Sequence, residues 1–87
     1  MKLTLLTRVG CHLCDEMLDA VRPMAAARGA AVVLVDVDGD PELEAIYGNL
    51  VPLLFAGEPR DGAELCRYRL DRSRVDAALA SSGQIRD

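Results

Sequence analysis

Cys11 and Cys14, separated by His12-Leu13, are the residues of this chain whose type and spacing most directly carry chemistry. A thiolate attacks disulfide sulfur, and a second thiol within reach can displace the product from the resulting mixed disulfide. The pair sits where two patterns meet. The apolar run from Lys2 to Thr7 reads as a short buried strand, and Leu13, Met17, Leu18 and Val21 recur at helical spacing. A cysteine three positions along the first turn of a helix comes round to the side of its predecessor, within disulfide reach. The earlier cysteine then lies at the helix N-terminus, where unpaired N–H groups and the helix dipole favour a negative thiolate. Cysteines so placed often titrate well below the free value of ~8.5. The expectation is an attacking thiol at Cys11 and a resolving thiol at Cys14.

The plainer alternative is an inert or metal-binding pair. A structural zinc site takes four N or S ligands, and only Cys66 and His12 remain to complete one, with His12 wedged beside Cys11. No metal site is therefore expected. His12 either tunes the pair as an imidazolium or is a solvated side chain of the first turn. Cys66 lies in an alternating stretch and reads as a core residue, free cysteine being among the most buried residue types. Asp36, Asp38 and Asp40 resemble the start of a calcium loop, but Pro41 stands where that loop needs Gly and Tyr47 where it needs Glu. They read as strand-end and cap residues. Arg67, Arg69, Arg72 and Arg74 form a solvated face or receive an acidic partner or glutathione. Met17 and Met24 read as core or rim filler.

The elements that must position the pair fit one small domain spanning residues 1–87, read as a monomer. Half of the residues are apolar but Trp is absent, so the core must be built from Leu, Val and Ala. Ten basic against fourteen acidic residues give a net charge of -4, which argues against a nucleic-acid surface. Nothing resembles a membrane span, and the run before Arg8 is too short for a signal-peptide core. Three cysteines make a poor disulfide framework and fit a reducing cytoplasm better.

In chain order, Gly10 gives the backbone freedom before Cys11, and the helix that follows runs to about Ala27. Pro23 either kinks it or ends it early. Ala31 to Val37 reads as an interior parallel strand. Asp40-Pro41 reads as an N-cap and first-turn proline of a short helix carrying Leu43, Ile46 and Tyr47, with a stop at Gly48-Asn49. Leu50 to Ala56 is the third strand, residues 57–62 a hairpin loop, and Ala63 to Arg69 an antiparallel return with alternating faces. Asp71 caps a last helix from Arg72 to about Ala80, with Val75, Ala78 and Leu79 inward, and Ser81 onward reads as a frayed tail.

The order βαβαββα, with Cys-x-x-Cys opening the first helix and Val51-Pro52 opening the third strand, resembles the thioredoxin fold. Within it the chain is similar to the small bacterial glutaredoxin-like proteins, which share the Cys-His-Leu-Cys stretch and a segment like Leu65-Cys66-Arg67-Tyr68-Arg69-Leu70-Asp71. The resemblance implies an α/β fold with a four-stranded mixed sheet and flanking helices. It implies an exposed nucleophile at Cys11, a more buried resolving thiol at Cys14 and a cis Pro52 facing the disulfide. A cis peptide there would aim the carbonyl and N–H of Val51 at an extended substrate, and the missing N–H of Pro52 would keep that strand end from pairing with another chain. Arg8 retains a basic residue three before the first cysteine, suited to the thiolate or a glutathione carboxylate. His12-Leu13 replaces the usual Pro-Tyr, and Arg69-Leu70-Asp71 stands where glutaredoxins carry a glutathione-contacting Gly-Gly. Leu5 and Gly10 stand where thioredoxins carry a buried acid and a Trp.

These readings converge on a glutaredoxin-like thiol–disulfide oxidoreductase. Cys11 and Cys14 are its catalytic pair, and Arg8, His12, Leu13, Val51 and Pro52 its substrate-binding residues. No bound cofactor is expected. Glutathione is a candidate co-substrate, protein or low-molecular-weight disulfides are the partners, and glutathione or a thioredoxin-type system is the electron donor. Glutaredoxin relatives also hold iron–sulfur clusters between chains, usually with one cysteine plus glutathione. The alternative from a different class is a binding or scaffold module with vestigial cysteines.

Overall fold

The computed structural model describes residues 1–85, with side chains to residue 81. The elements follow the expected order: β1 (Lys2–Thr7), α1 (His12–Ala27), β2 (Ala31–Asp36), α2 (Pro41–Tyr47), β3 (Leu53–Ala56), β4 (Ala63–Arg67) and α3 (Arg72–Ile85), with a single 3-10 turn, Val37–Gly39, before α2. The four strands form one mixed sheet in the order β2-β1-β3-β4. β1 and β2 run parallel, and β3 is antiparallel to both β1 and β4.

Alternation along β1 decides which layer each side chain joins. Leu3 and Leu5 join Leu54, Met17, Val21, Ala25, Val75 and Leu79 in a core shared with α1 and α3. Leu6 joins Val37, Leu43, Leu53 and Phe55 in a second core with α2. The Tyr47 and Phe55 rings meet edge to face at 5.7 Å there. Between them Thr4 is buried, and its hydroxyl donates to the Gly57 carbonyl at 2.6 Å. A buried hydroxyl without such a partner would be destabilising.

Helix α1 passes through Pro23 and ends at Arg28, with Gly29 at φ +67, a left-handed position that suits glycine. Its buried stripe is Cys14, Met17, Val21 and Ala25, and Leu13 faces outward. Asp40 caps α2 as expected, accepting from the N–H groups of Glu42 at 3.0 Å and Leu43 at 3.2 Å.

Several expectations are corrected. β2 is an edge strand whose Val33 and Leu34 are exposed, not an interior one, and Val37 has left it for the 3-10 turn. The β3–β4 hairpin packs on the other side of β1, so nothing among the described residues covers the outer side of β2. Ile46 is exposed, and Leu43 alone of α2 is buried. β3 starts at Leu53 instead of Leu50, because Pro52 has no N–H to give a ladder. β4 stops at Arg67, because Tyr68 takes φ +67 and Arg69 N–H closes a tight turn onto the Arg67 carbonyl at 2.7 Å. Strict alternation in β4 also fails: Leu54 pairs with Cys66 and Phe55 with Glu64, so Leu65 is an extra, bulged residue, and Leu65 and Cys66 are both buried. Finally, α3 continues past Ala80 to Ile85, extension being cheap once a helix is nucleated. Residues 86–87 of the expected tail lie outside the described residues.

Candidate functional site

Registers place the chemistry at one end of the sheet. Leu6 pairs with Leu53, Thr7 with Asp36, and Leu53 with Arg67. The loop leaving β1, the Val51-Pro52 segment entering β3 and the Tyr68 turn leaving β4 therefore gather at a common edge. Tyr68 ties two of them: its N–H donates to the Pro52 carbonyl at 2.8 Å and its hydroxyl to the Asn49 carbonyl at 3.3 Å.

Gly10 takes φ +78, which turns the chain out of the strand and into α1 at low steric cost. Cys11 follows as the N-cap of α1 with an extended backbone, and its Sγ accepts the Cys14 N–H at 3.1 Å. One orphan donor of the first helical turn thus points at the sulfur. The two cysteines are joined as a disulfide, with Cα atoms 5.2 Å apart, inside the usual span for such a bond. Cys14 is buried at 2 % exposure, whereas Cys11 is partly open to solvent. An incoming group therefore meets Cys11 first.

The remaining predicted residues divide. Leu13 is 43 % exposed on the outer side of the first turn, and His12 beside it is exposed. The Val51-Pro52 bond is cis. The Pro52 ring is fully buried, so this segment presents the half-buried Val51 and its backbone. Neither the N–H nor the C=O of Val51 has a backbone partner among the described residues. Arg8 is placed differently from the expectation of a bond to the thiolate or a ligand carboxylate. Its Nη2 donates to Asp38 at 2.8 Å and to Glu44 at 3.1 Å, its Nε reaches Asp38 at 3.1 Å, and its Nη1 reaches the Gly48 carbonyl at 3.1 Å. These bonds hold the Asp38 carboxyl below its ordinary value and push the guanidinium higher still. Arg8 also accepts the Cys11 N–H on its carbonyl at 3.3 Å, so the residue ties the cysteine loop to α2 and the turn before it.

Sequence reasoning missed Asp38 and Glu44 as partners of Arg8, and Tyr68 as the clamp on Pro52. The acid-rich run around Asp38 was visible, but its partner lies thirty residues away in the chain. Cys66 stays a free buried thiol, and loss of water contact pushes it above the ordinary range. Among the described residues no cluster of three His, Cys, Asp or Glu side chains could hold a metal ion, and no helix is long and apolar enough to cross a membrane.

Comparison with known proteins agrees with this fold. The model of the glutaredoxin-like domain family (DUF836) matches residues 2–80. Uncharacterized proteins of Mycobacterium tuberculosis (Rv0508) and Mycobacterium bovis (Mb0520) are each 30 % identical over 83 residues, covering 90 % of this chain and 81 % of theirs. Protein Ne2328 of Nitrosomonas europaea superposes with a TM-score of 0.74 at 36 % identity, over 87 % of each chain. Protein XcR50 of X. campestris gives 0.66 at 38 % identity, over 91 % of this chain and 96 % of that one. Thioredoxin 1 of Thermosipho africanus gives 0.67 at 20 % identity, over 98 % and 97 % of the two chains, a likeness of fold.

Proposed function

Because this chain belongs to the glutaredoxin-like domain family, we propose that it is a thiol–disulfide oxidoreductase working through Cys11 and Cys14. The observation that carries the reading is the asymmetry of the pair. Cys11 is the cysteine partly open to solvent and its Sγ accepts an N–H at the start of α1, while Cys14 lies buried behind it at bonding distance. The same N–H and helix terminus would stabilise a Cys11 thiolate once the pair is reduced.

In the reduced protein, Cys11 Sγ attacks one sulfur of a substrate disulfide. The substrate S–S bond breaks, and its other sulfur leaves as a thiolate that takes a proton from solvent. Cys14, deprotonated in turn, attacks Cys11 Sγ, forms the intramolecular disulfide and expels the second substrate thiol. Two electrons have then passed from the protein to the substrate. A thiol reductant, either glutathione as co-substrate or a thioredoxin-type system, returns them by the same exchange in reverse. The unpaired backbone of Val51 supports an extended segment of a protein disulfide as substrate, with low-molecular-weight disulfides as simpler ones. The free thiol of Cys66 suits a reducing compartment such as the cytoplasm.

The reading is tested with cysteine variants on a small disulfide. Cys11→Ser should abolish exchange, Cys14→Ser should accumulate the mixed disulfide, and Cys66→Ser should behave as the parent. Reduced Cys11 should also alkylate with iodoacetamide along a pH profile whose midpoint lies below ~8.5. Exchange in the parent no faster than in Cys11→Ser would instead mark a binding module with vestigial cysteines.

A further inference from the structure

A groove of about 420 Å³ opens between α1 and the segment joining β4 to α3. Leu13, Met17 and Ala20 line it from α1, and Leu70 adds to its apolar floor. From Leu13 to Ala20 this floor extends for about 10 Å along the helix. Leu13, the residue before Cys14 in the chain, lines one end of this floor.

Its charge is unlike that of the rest of the chain. The protein carries ten basic and fourteen acidic residues, yet Arg67, Arg69, Arg72 and Arg74 fall within one short segment whose only acid is Asp71. That carboxylate is occupied by the Arg74 N–H at 3.1 Å, and Arg67 is paired with Glu64 at 2.8 Å. Arg69 and Arg72 remain. Both line the groove, both are exposed, and neither forms an ion pair among the described residues. The opposite wall carries Glu16 alone, also without an ion pair. The groove therefore offers an apolar floor, one wall with two available cations and one wall with a single acid.

We propose that this groove docks the segment flanking the disulfide of a protein substrate, and selects one that pairs an apolar side chain with an aspartate or glutamate. The claim builds on exchange chemistry at Cys11 and Cys14 and adds a substrate class to it. The apolar side chain covers the floor formed by Leu13, Met17, Ala20 and Leu70, and the carboxylate meets Arg69 and Arg72. Glu16 disfavours a second acid on the α1 side and so sets which way round the segment lies. Glutathione brings carboxylates but no apolar side chain for the floor, so the occupant is a polypeptide.

The test is a binding titration that needs no exchange. Two fluorescent peptides carry serine in place of cysteine and a nearby leucine; one has glutamate beside it and the other glutamine. Fluorescence anisotropy is read against the oxidised protein at low salt. The glutamate peptide should bind tighter by about 2- to 30-fold, the scale of two exposed charge contacts, and added salt should shrink the difference. Arg69→Gln with Arg72→Gln should bring the ratio to one, and Arg69→Glu with Arg72→Glu should turn the preference to a lysine peptide. Equal binding of the two peptides, or a glutamate preference that survives the double glutamine variant, would overturn the docking claim. So would displacement of the glutamate peptide by S-methylglutathione at matching concentration, which would make the groove a small-molecule site. Reduction of hydroxyethyl disulfide is followed separately. If it fails while acid-selective binding persists, the exchange reading falls and the docking surface stands.

Discussion

Cys11, Cys14 and Cys66 bring the same functional group into different surroundings. Cys11 is half-open at a helix N-terminus, Cys14 is 2 % exposed behind it, and Cys66 is 8 % exposed in the core beneath α3. Burial disfavours the thiolate of Cys66, and this outweighs the hydrogen bond from the Asp71 backbone that acts the other way. Its folded value is thus raised above the ordinary 9.0. Stability from this group is fully present below the unfolded value and is lost as pH rises past it towards the folded one. Cys66→Ala should therefore flatten the alkaline fall in stability that urea unfolding reveals in the parent. In the folded, reduced protein iodoacetamide should reach Cys66 well after Cys11. The core role of Cys66 was legible from its place in an alternating strand and from how often free cysteine is buried. Its burial beside Leu65 was not, since that depends on a bulge between two strands.

At the scale of elements, the start of α1 is held from two sides. Gly10 turns the chain, and Arg8 fastens the same loop to Asp38 and Glu44. The Asp38 carboxyl is lowered below its ordinary 3.8, mainly by its hydrogen bond from Arg8. A depressed carboxyl stabilises the fold above the unfolded value and loses that contribution as pH falls through the folded one. Asp38→Asn should accordingly remove part of the acid limb of the stability profile, measured by urea unfolding at descending pH, while leaving the alkaline limb in place. Both residues were visible as charged loop positions. Their pairing was not, because β1 and β2 must first be set side by side before Arg8 and Asp38 can meet.

For the molecule as a whole, strand order decides which apolar residues matter. Leu54 lies fully buried in the central β3, between α1 and α3, whereas Leu34 on the edge strand β2 is 47 % exposed. Leu54→Ala should cost about 2–5 kcal/mol in chemical denaturation, as a cavity-forming core truncation does. Leu34→Ala should stay within about 0.5 kcal/mol, as expected at an exposed site. An interior β2, which its composition suggests, would make the two costs alike. Comparing them therefore checks the sheet order directly.

What the amino-acid sequence determined by itself is what depends on near neighbours in the chain. A cysteine pair at a strand-to-helix junction, a glycine before it, an Asp40-Pro41 helix start and a proline opening β3 are all local statements about backbone geometry and helix ends. The order of strands and helices follows from hydrophobic period in the same way. The tertiary structure alone decided that β2 lies at the edge, that Arg8 is bound to Asp38 and Glu44, and that Arg69 and Arg72 line a groove beside Leu13. An apolar strand or a charged side chain carries no record of its partner. That partner is chosen only when residues far apart in sequence are packed together, and the packing is set by the competition of the whole chain for its core.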